Sequence, residues 1–528
     1  MQSILKFAGF CLLIILLIGN VPLVNSLRIL GIFPLQGKSH FVMSEALMKG
    51  LSAKGHQVDV YGHFPLKKPI PNYTDYSLAG TLPAFANNMT YEFMESFSKR
   101  ISMKQMLEIV GEPICDLLNL PIFQKLLKDP PKYDLVIVEI FMFNCYLGWG
   151  PYLKVPMIAV STTTLFDWMN EALGNPWNLA AEPSSFSQSI PPMSFLERVD
   201  NFLFSNYLTL MYNYHMRVQD KYIEGAFGKG HPNAVDAMRE ISLVLINYNQ
   251  ALNGIKAFTP GVVPVAGLHI TDREDPLPEQ VEKFLDESKN GFIYVSFGSM
   301  VRLETFPKPV IDAFYAMFKN IAPVRVLMKI ARPEELQSGL PSNVIVQTWL
   351  PQIKVLKHKN IKGFVTHGGL LGTMEAVYHE VPMVGVPLFG DQHLNLEVYV
   401  RKNVAIKLLL ENINEKSLTE SVKAMLENPI YKKSVRQVSE MMRDTPMKPM
   451  DTAAYWIEFV ARHGKDALRS PLTDMPWWEA SLWDVYTFIL SIIFLLLYVI
   501  KLILGRFSAL FKRNTELKKQ RSTKVKRN

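Results

Sequence analysis

Short apolar runs alternate with longer amphipathic stretches through the first half of the chain. The strand-like run Arg28–Leu35 leads through a turn into a helical pattern at Phe41–Lys54, and a second strand-like run follows at Gln57–Tyr61. These three segments predict a strand–helix–strand unit with parallel strands. Short and almost wholly apolar runs, typical of strands buried on both faces of a parallel sheet, follow at Tyr133–Glu139 and Met157–Val160. The first half therefore predicts an α/β domain.

The same alternation begins again in the second half. Residues 259–278 contain four prolines and predict a linker between the halves. The chain therefore predicts two doubly wound α/β domains, residues 27–258 and 279–484, with a closing helix at Thr452–His463 in the second. Two such domains facing each other place a cleft at the carboxyl ends of both sheets. The strand-like runs of the second half are Phe292–Phe297, Val324–Ile330, Val344–Gln347, Gly363–Thr366 and Pro382–Leu388.

Both ends of the chain have the pattern of targeting segments. After Lys6, the apolar run Phe7–Ile18 is followed by small residues, which predicts a signal peptide over residues 1–26; a signal anchor is the competing interpretation. Residues 485–504 are apolar apart from Lys501 and, at about 1.5 Å per residue, are long enough to cross a bilayer. They predict one transmembrane helix, followed by a basic tail over residues 505–528.

The positive charge of the chain is concentrated in that tail. Of 528 residues, 48% are hydrophobic and 20% are charged, which is typical of a folded protein, and the net charge is +8. Residues 501–528 carry ten Lys or Arg and one Glu, so the other 500 residues have a net charge of −1. A nearly neutral body argues against a nucleic acid as partner.

The basic tail also predicts the orientation of the chain. Positive residues beside a membrane helix stay in the cytosol, which places the body in the lumen. The last five residues resemble the lysine-based retrieval signal of the endoplasmic reticulum, although a stop-transfer cluster has the same composition. Asn72 and Asn88 begin glycosylation sequons, which are compatible with a luminal body. The sequence therefore predicts a single-pass type I protein of the endoplasmic-reticulum membrane.

Cysteine usage is sparse. The chain has three cysteines, and removal of the predicted signal peptide eliminates Cys11. Cys115 and Cys145 remain, and two cysteines can pair in an oxidising lumen without forming a disulfide framework. Neither has the spacing of a metal ligand, and the chain contains no Asp-x-Asp sequence. No metal site is predicted.

Candidate chemistry concentrates where a strand of the second half meets a glycine turn. The turn His367-Gly368-Gly369 is followed by a helical pattern, so the backbone and the helix N-terminus can approach a diphosphate. Glu375 lies about one turn into that helix, where a carboxylate can accept hydrogen bonds from ribose hydroxyls. The segment therefore predicts a nucleotide site.

Residues on both sides of the turn make this prediction specific. Asp391 and Gln392 open the next helix and offer polar groups to a sugar. Trp349 and Gln352 lie upstream at the end of another strand. A histidine such as His367 is, by itself, more often a capping or core residue. It is the ordered set that indicates a nucleotide-sugar.

With this set in place, the sequence resembles the UDP-glycosyltransferase family of animal endoplasmic-reticulum membranes, and most closely its insect members. Residues 349–392 match that family's signature, and Phe297–Met300, Ser39-His40 and Pro449–Asp451 match it elsewhere, so the resemblance covers nearly the whole chain. It implies a GT-B fold, in which two Rossmann-like domains face each other, and transfer of a sugar from a UDP-sugar with inversion. The UDP-sugar would be a co-substrate, with no cofactor and no metal.

The resemblance also implies roles for the motif residues. Trp349 would stack on uracil, Gln352 would contact the uridine and Glu375 would hold the ribose. The remaining donor contacts would come from Ser299, His367, Gly368 and Gly369 at the diphosphate, and from Asp391 and Gln392 at the transferred sugar.

His40 is the expected general base, with a structural histidine as the competing interpretation. It lies where the loop after the first strand enters a helix, and it would take the proton of the acceptor hydroxyl as the oxygen attacks the anomeric carbon. Relatives orient this base with an Asp, where this chain has Glu139, and the departure leaves the orienting role open. Many relatives also have Asn or Ser at the position of Leu371, so backbone N–H groups or Thr373 would contact the phosphates instead.

Position 247 bears on the donor sugar. Relatives that use glucuronic acid have an Arg before the linker, which suits a carboxylate, whereas the strand Leu243–Ile246 of this chain leads to Asn247. An amide cannot form an ion pair, so UDP-glucose is favoured, with UDP-glucuronic acid as the alternative. The expected acceptor is a small lipophilic alcohol or phenol. A catalytically silent luminal binding protein is the competing function, and the sequence leaves a homo-oligomer open.

Overall fold

Two parallel sheets, each covered by helices, form the body of the protein. The computed structural model describes residues 26–100, 103–271 and 275–525. The predicted signal peptide lies outside these residues except for Ser26, as do the last three residues of the predicted retrieval signal. Both of those interpretations stay predictions.

The first sheet has seven strands in the order β3-β2-β1-β4-β5-β6-β7, and all its neighbouring pairs are parallel. Its chain order reverses between β1 and β4, which is the doubly wound arrangement. The strands are β1 (Arg28–Phe33), β2 (Gln57–Gly62), β3 (Tyr73–Ser77), β4 (Leu135–Glu139), β5 (Met157–Ser161), β6 (Ile241–Ile246) and β7 (Val262–Pro264).

The second sheet has six parallel strands in the order β10-β9-β8-β11-β12-β13, with the same kind of reversal between β8 and β11. Its strands are β8 (Phe292–Ser296), β9 (Arg325–Lys329), β10 (Val344–Gln347), β11 (Ile361–Thr366), β12 (Met383–Gly385) and β13 (Ala405–Lys407).

Helices connect the strands and cover the sheets, and the chain ends in one long helix. In chain order they are α1 (Lys38–Ala53), α2 (Tyr91–Arg100), α3 (Met103–Met106), α4 (Glu112–Asp116), α5 (Pro121–Lys128), α6 (Trp149–Leu153), α7 (Asp167–Ala172), α8 (Phe195–Met216), α9 (Asp220–Phe227), α10 (Gln250–Asn253), α11 (Glu279–Asp286), α12 (Lys308–Asn320), α13 (Gln352–Leu356), α14 (Leu370–Tyr378), α15 (Gln392–Arg401), α16 (Glu415–Glu427), α17 (Pro429–Arg443), α18 (Pro449–His463), α19 (Trp477–Ala480) and α20 (Trp483–Val525).

The apolar runs form central strands because both faces of each sheet are buried. In β4, Leu135 and Ile137 pack into one apolar cluster while Val136 and Val138 pack into another on the opposite face. A strand covered on both sides needs an apolar residue at nearly every position, which is the pattern seen in the sequence. The two reversal points place the carboxyl ends of β1 and β4 in one sheet, and of β8 and β11 in the other, at the edges where ligands bind in such folds.

Two features differ from the predicted domain boundaries. β7 lies inside the predicted linker and pairs with β6, so the first sheet extends to Pro264. The closing helix α18 begins at Pro449, and its Ala453 and Ile457 belong to the apolar cluster of the first sheet. The chain therefore returns to the first domain after completing the second, which a local sequence pattern does not reveal.

The C-terminal unit, residues 471–528, contains the predicted transmembrane segment. Within the described part of the chain, one helix is long and apolar enough to cross a membrane, with a mean hydropathy of 2.7 over its best window. This helix, α20, begins at Trp483 and continues through the basic tail to Val525, whereas the sequence predicted a span ending at residue 504.

Candidate active site

A cavity of about 530 Å³ lies between the two Rossmann-like domains, at the carboxyl ends of both sheets. Nine of the residues predicted for the site line this cavity together. They are His40, Ser299, Trp349, Gln352, His367, Gly369, Glu375, Asp391 and Gln392. Residues of the first domain thus face the nucleotide motif of the second across one space.

His40 lies in the first turn of α1, directly after β1, and forms a tight cluster with two neighbours. Its Nδ1 is 2.6 Å from Oε1 of Glu139, the last residue of β4, and 2.8 Å from Oγ1 of Thr162. Glu139 is buried, and a carboxylate only accepts hydrogen bonds, so we assign the proton to Nδ1. Nε2 is then the nitrogen left to accept a proton. Thr162, which follows β5, was not predicted from the sequence.

Glu375 is held from two sides. Its Oε2 accepts a hydrogen bond of 2.7 Å from Nε2 of Gln352, and its Oε1 lies 3.1 Å from Nε2 of His269. Each carboxylate oxygen has a second lone pair for a ligand hydroxyl. His269 was missed because it belongs to the predicted linker, where no periodicity marks a functional side chain.

After β8, the backbone at Gly298 passes close to the side chain of His367. Gly298 has φ +79, and a Cβ there would lie 2.7 Å from the His367 ring, so only glycine fits. Oγ of Ser299 is buried without a hydrogen-bond partner among the described residues, which suits a ligand oxygen in the cavity. Burial lowers the pKa of His367 to about 4, and Lys329 adds to this, so the imidazole is neutral at physiological pH.

Lys329, the last residue of β9, is a second residue that the sequence did not reveal. It lines the cavity, and its Nζ donates to Oδ1 of Asn87 at 2.6 Å and to the carbonyl of Gly298 at 2.8 Å. Nζ also lies 5.8 Å from the centre of the Trp349 ring. Burial lowers the pKa of Lys329 to about 8. A positive charge thus lies beside the residues predicted to contact uracil and diphosphate.

Asp391 and Gln392 are held at the other end of the cavity. Oδ2 of Asp391 accepts a hydrogen bond of 2.9 Å from Asn395. Oε1 of Gln392 accepts from the backbone N–H groups of Leu388 and Phe389, which leaves its amide nitrogen for a ligand. Burial raises the pKa of Asp391, and the hydrogen bond from Asn395 partly offsets this rise.

Three predicted donor residues do not line the cavity. Gly368 lies behind the turn with φ +87, where a Cβ would lie 2.8 Å from Leu396. Thr373 is fully buried, and its Oγ1 bonds to the carbonyls of its own helix and to Tyr399. Asn247 is also fully buried, and its Nδ2 donates to the carbonyl of Thr162. Neighbouring protein groups satisfy Thr373, whereas Oδ1 of Asn247 is buried without a hydrogen-bond partner among the described residues.

The remaining sequence features lie outside the cavity. Cys115 and Cys145 form a disulfide, as the sequence allowed. Asn72 and Asn88 of the two sequons are exposed. Asp134, which lies just before β4 and five residues before Glu139, accepts a hydrogen bond from the backbone N–H of Arg28. Across residues 26–100, 103–271 and 275–525, no group of three or more His, Cys, Asp or Glu could hold a metal ion.

Comparison with known proteins gives one family for almost the whole chain. The sequence model of the family described as UDP-glucoronosyl and UDP-glucosyl transferase matches residues 37–521. UDP-glycosyltransferase UGT5 of Dactylopius coccus is 35% identical, with 94% of this chain and 96% of the relative covered. UDP-glucosyltransferase 2 of the same insect is 32% identical, with 91% and 93% covered.

The solved structures provide a comparison of the fold. The crystal structure of the glycotransferase of kitacinnamycin superposes with a TM-score of 0.55 at 17% identity. The alignment covers 82% of this chain and 99% of that one. At this identity the likeness concerns the arrangement of the two domains alone.

Proposed function

Since this chain belongs to the UDP-glycosyltransferase family, we propose that it transfers glucose from UDP-glucose to a hydroxyl of a small lipophilic acceptor. The GT-B fold predicted from the sequence is confirmed, and the transfer of a sugar from a UDP-sugar follows from the family. The observation that carries the proposal is the His40–Glu139 pair, which faces the nucleotide motif across one cavity.

In the proposed reaction, Nε2 of His40 takes the proton of the acceptor hydroxyl. The acceptor oxygen attacks the anomeric carbon, and the bond between that carbon and the phosphate oxygen breaks on the opposite face, so the configuration inverts. UDP carries away the electron pair of that bond. The N-terminus of α14, Ser299 and the Lys329 ammonium lie where they can stabilise the charge that develops on the diphosphate.

The activity is tested with membranes containing the full chain, labelled UDP-glucose and a panel of phenols and alcohols. The expected product is a β-glucoside, because inversion of the α-linked donor gives the β-anomer, and it is checked by cleavage with a β-glucosidase. UDP binding without any product from the panel would favour the silent binding protein instead.

The cations of the cavity support glucose as the donor sugar. Among the described lining residues, the lysines are Lys38, Lys49 and Lys329. Lys38 and Lys49 both pair with Glu45, at 3.1 and 2.5 Å, and Lys329 lies beside Trp349 at the nucleotide end. Among the described residues that line the cavity, a glucuronate carboxylate near Asp391 would then find no unpaired counter-ion, and burying such a charge is costly.

We therefore expect the wild-type protein to prefer UDP-glucose strongly when both donors are supplied at equal concentration. The measurement is a competition assay in which the two conjugates of one phenol are separated and quantified. A glucose 6-hydroxyl needs no cation, whereas the carboxylate does. Equal or better use of UDP-glucuronic acid would show that the carboxylate finds a cation, and the donor proposal would fail. Asn247 is buried and does not line the cavity. The expected preference for UDP-glucose therefore rests on the pairing of Lys38 and Lys49 with Glu45.

Lys329 predicts a pH dependence of nucleotide binding. Below its pKa of about 8 the ammonium is charged and attracts the diphosphate, and above it the free protein loses this charge. The dissociation constant of UDP should therefore rise by about tenfold between roughly pH 7 and pH 9. Calorimetry across this range measures it, and Lys329→Met should remove most of the rise.

Lys407 provides the matched control for this measurement. It is also largely buried and ends a strand of the same sheet, but it pairs with Glu397 and does not line the cavity. Lys407→Met should keep the wild-type pH profile. A profile that is flat in the wild type, or unchanged in Lys329→Met, contradicts a role of Lys329 at the diphosphate.

We place the body of the protein in the lumen of the endoplasmic reticulum, anchored by α20 with the basic tail in the cytosol. The Cys115–Cys145 disulfide supports an oxidising compartment, and the exposed Asn72 and Asn88 are accessible to glycosylation there. Protease treatment of sealed microsomes should remove a tag after residue 528 and spare the body. Loss of the body under the same treatment would reverse the orientation.

A further inference from the structure

The long helix α8 buries several polar side chains against the protein and exposes a row of large apolar side chains on its outer side. Asn201, Ser205 and Tyr212 are buried, and on a helix they lie on one face. Their polar groups bond to the body: Asn201 accepts from the N–H of Ser184 and donates to two carbonyls, and Tyr212 donates to Asn144. Met216 is buried on the same inner face, but most of the large apolar side chains lie on the outer side, unlike those of an ordinary surface helix.

The outer face of α8 is largely apolar, with the exposed Asn206 among its apolar side chains. From 39% to 75% of each of its large side chains is exposed, and at helical spacing they share one face about 140° wide. Residues 201–216 contain no Asp, Glu, Lys or Arg. The exposed side chains are Phe195, Leu196, Val199, Phe202, Leu203, Tyr207, Leu210 and Tyr214. A soluble protein rarely leaves such a patch uncovered.

Three observations identify a lipid surface as what covers it. The same chain has its own candidate membrane span, α20, and the proposed anchor tethers the body to a bilayer. The face is uncharged and combines Phe and Leu with Tyr, a composition suited to the interface of a membrane. Because the opposite face is hydrogen-bonded to the body, α8 can lie on a membrane but cannot span it.

We propose that the outer face of α8 lies in the interfacial layer of the membrane that α20 crosses. This inference rests on the proposed anchor and, for its consequence, on the proposed lipophilic acceptor. An interfacial helix of this kind sinks roughly 5–10 Å, to the boundary of headgroups and acyl chains. With α8 in this layer, the side of the body that carries α8 lies against the bilayer.

A series of ring contacts runs from the buried side of α8 to the proposed base, His40. The Phe141 ring is 5.0 Å from that of His40 and 5.9 Å from that of Phe166, measured between centroids. Phe166 lies 5.0 Å from Trp168, which stacks at 4.5 Å on Tyr212 of α8. An aromatic layer thus separates the lipid-facing helix from the acceptor side of the cavity. Lipophilic acceptors that dissolve in the bilayer would then be concentrated at the outer face of α8.

The test uses the full chain reconstituted in phosphatidylcholine vesicles, with an environment-sensitive NBD fluorophore on a single introduced cysteine. Leu203→Cys reports on the α8 face, and Met441→Cys on α17 is the control, because these side chains are 62% and 60% exposed. The fluorophore at position 203 should show a blue-shifted emission. Lipids that carry a spin label near the headgroup should quench this emission. The same label near the bilayer centre should quench it less, and Met441 should show neither effect.

Several results would overturn the proposal. An unquenched fluorophore at Leu203, or equal quenching at both positions, would mean that α8 does not contact the membrane specifically. A blue shift without lipid quenching, together with cross-linking between two chains, would mean that a second copy covers the face.

A second experiment measures the consequence for the acceptor. Leu203→Glu combined with Leu210→Glu places two charges on the exposed face, and Met441→Glu is the control. In vesicles the KM of a lipophilic phenol should rise several-fold, while the UDP affinity and the KM of a water-soluble phenol stay unchanged. An unchanged KM for the lipophilic phenol would contradict acceptor delivery through this face. If no acceptor were conjugated at all, the proposed function would fail, and the fluorescence result would still decide the membrane contact.

Discussion

Replacing His40 by alanine is expected to reduce sugar transfer by about 10²–10⁴-fold, the range that a general base contributes. Its Nδ1 lies 2.6 Å from the Glu139 carboxylate, so Nε2 is left to accept the acceptor proton. UDP affinity should hardly change, because the nucleotide motif lies in the other domain. Turnover with several acceptors and calorimetry with UDP separate the two effects.

Two further variants locate this effect in the His40–Glu139 pair. Glu139→Gln keeps the size of the side chain but removes its charge, and it should lower kcat without altering UDP binding. The exposed His463 on α18 is the matched control, and His463→Ala should behave as wild type. Wild-type turnover in His40→Ala would eliminate His40 as the base.

Glu375→Ala is expected to weaken UDP binding by roughly 1.5–3 kcal/mol, or about 10–150-fold in the dissociation constant. The carboxylate would lose its hydrogen bonds to the ribose hydroxyls, and Gln352 and His269 would lose their common acceptor. Calorimetry with UDP alone measures this change. His269→Ala should weaken binding in the same direction by a smaller factor, because Gln352 still holds the carboxylate.

Glu397 is the control for this measurement. It lies on the neighbouring helix α15, pairs with Lys407 and does not line the cavity, so Glu397→Ala should leave UDP affinity unchanged. If Glu375→Ala bound UDP as tightly as the wild type, Glu375 would not contact the ribose.

The order of strands and helices could be predicted from the sequence because it depends on local pattern. β10 lies over the same residues, Val344–Gln347, as the apolar run, and β4 differs from its prediction only at its start. A parallel strand covered on both faces must be apolar at nearly every position, which makes it visible in one sequence. The turn His367-Gly368-Gly369 was visible for a similar reason, since glycines before a helix carry their geometry with them.

Contacts between residues that are distant in the sequence could be predicted only through the family resemblance, and some could not be predicted at all. His40 and Glu139 are 99 residues apart and meet because β1 and β4 are neighbours in the sheet. Lys329 and His269 have no local signal, since one ends an ordinary strand and the other lies in a turn-rich passage. Their proximity to the nucleotide motif follows from strand order and domain packing.

By itself, then, the sequence determined the two α/β domains, the family and nine of the residues that line the cavity, because these follow from periodicity and contiguous motifs. Only the tertiary structure decided which way side chains point. It directed Thr373 and Asn247 into the protein, and it turned Asn201, Ser205 and Tyr212 of α8 inward. Helical periodicity defines two faces but cannot tell which one is buried, since that depends on the hydrogen-bonding groups that the rest of the fold presents.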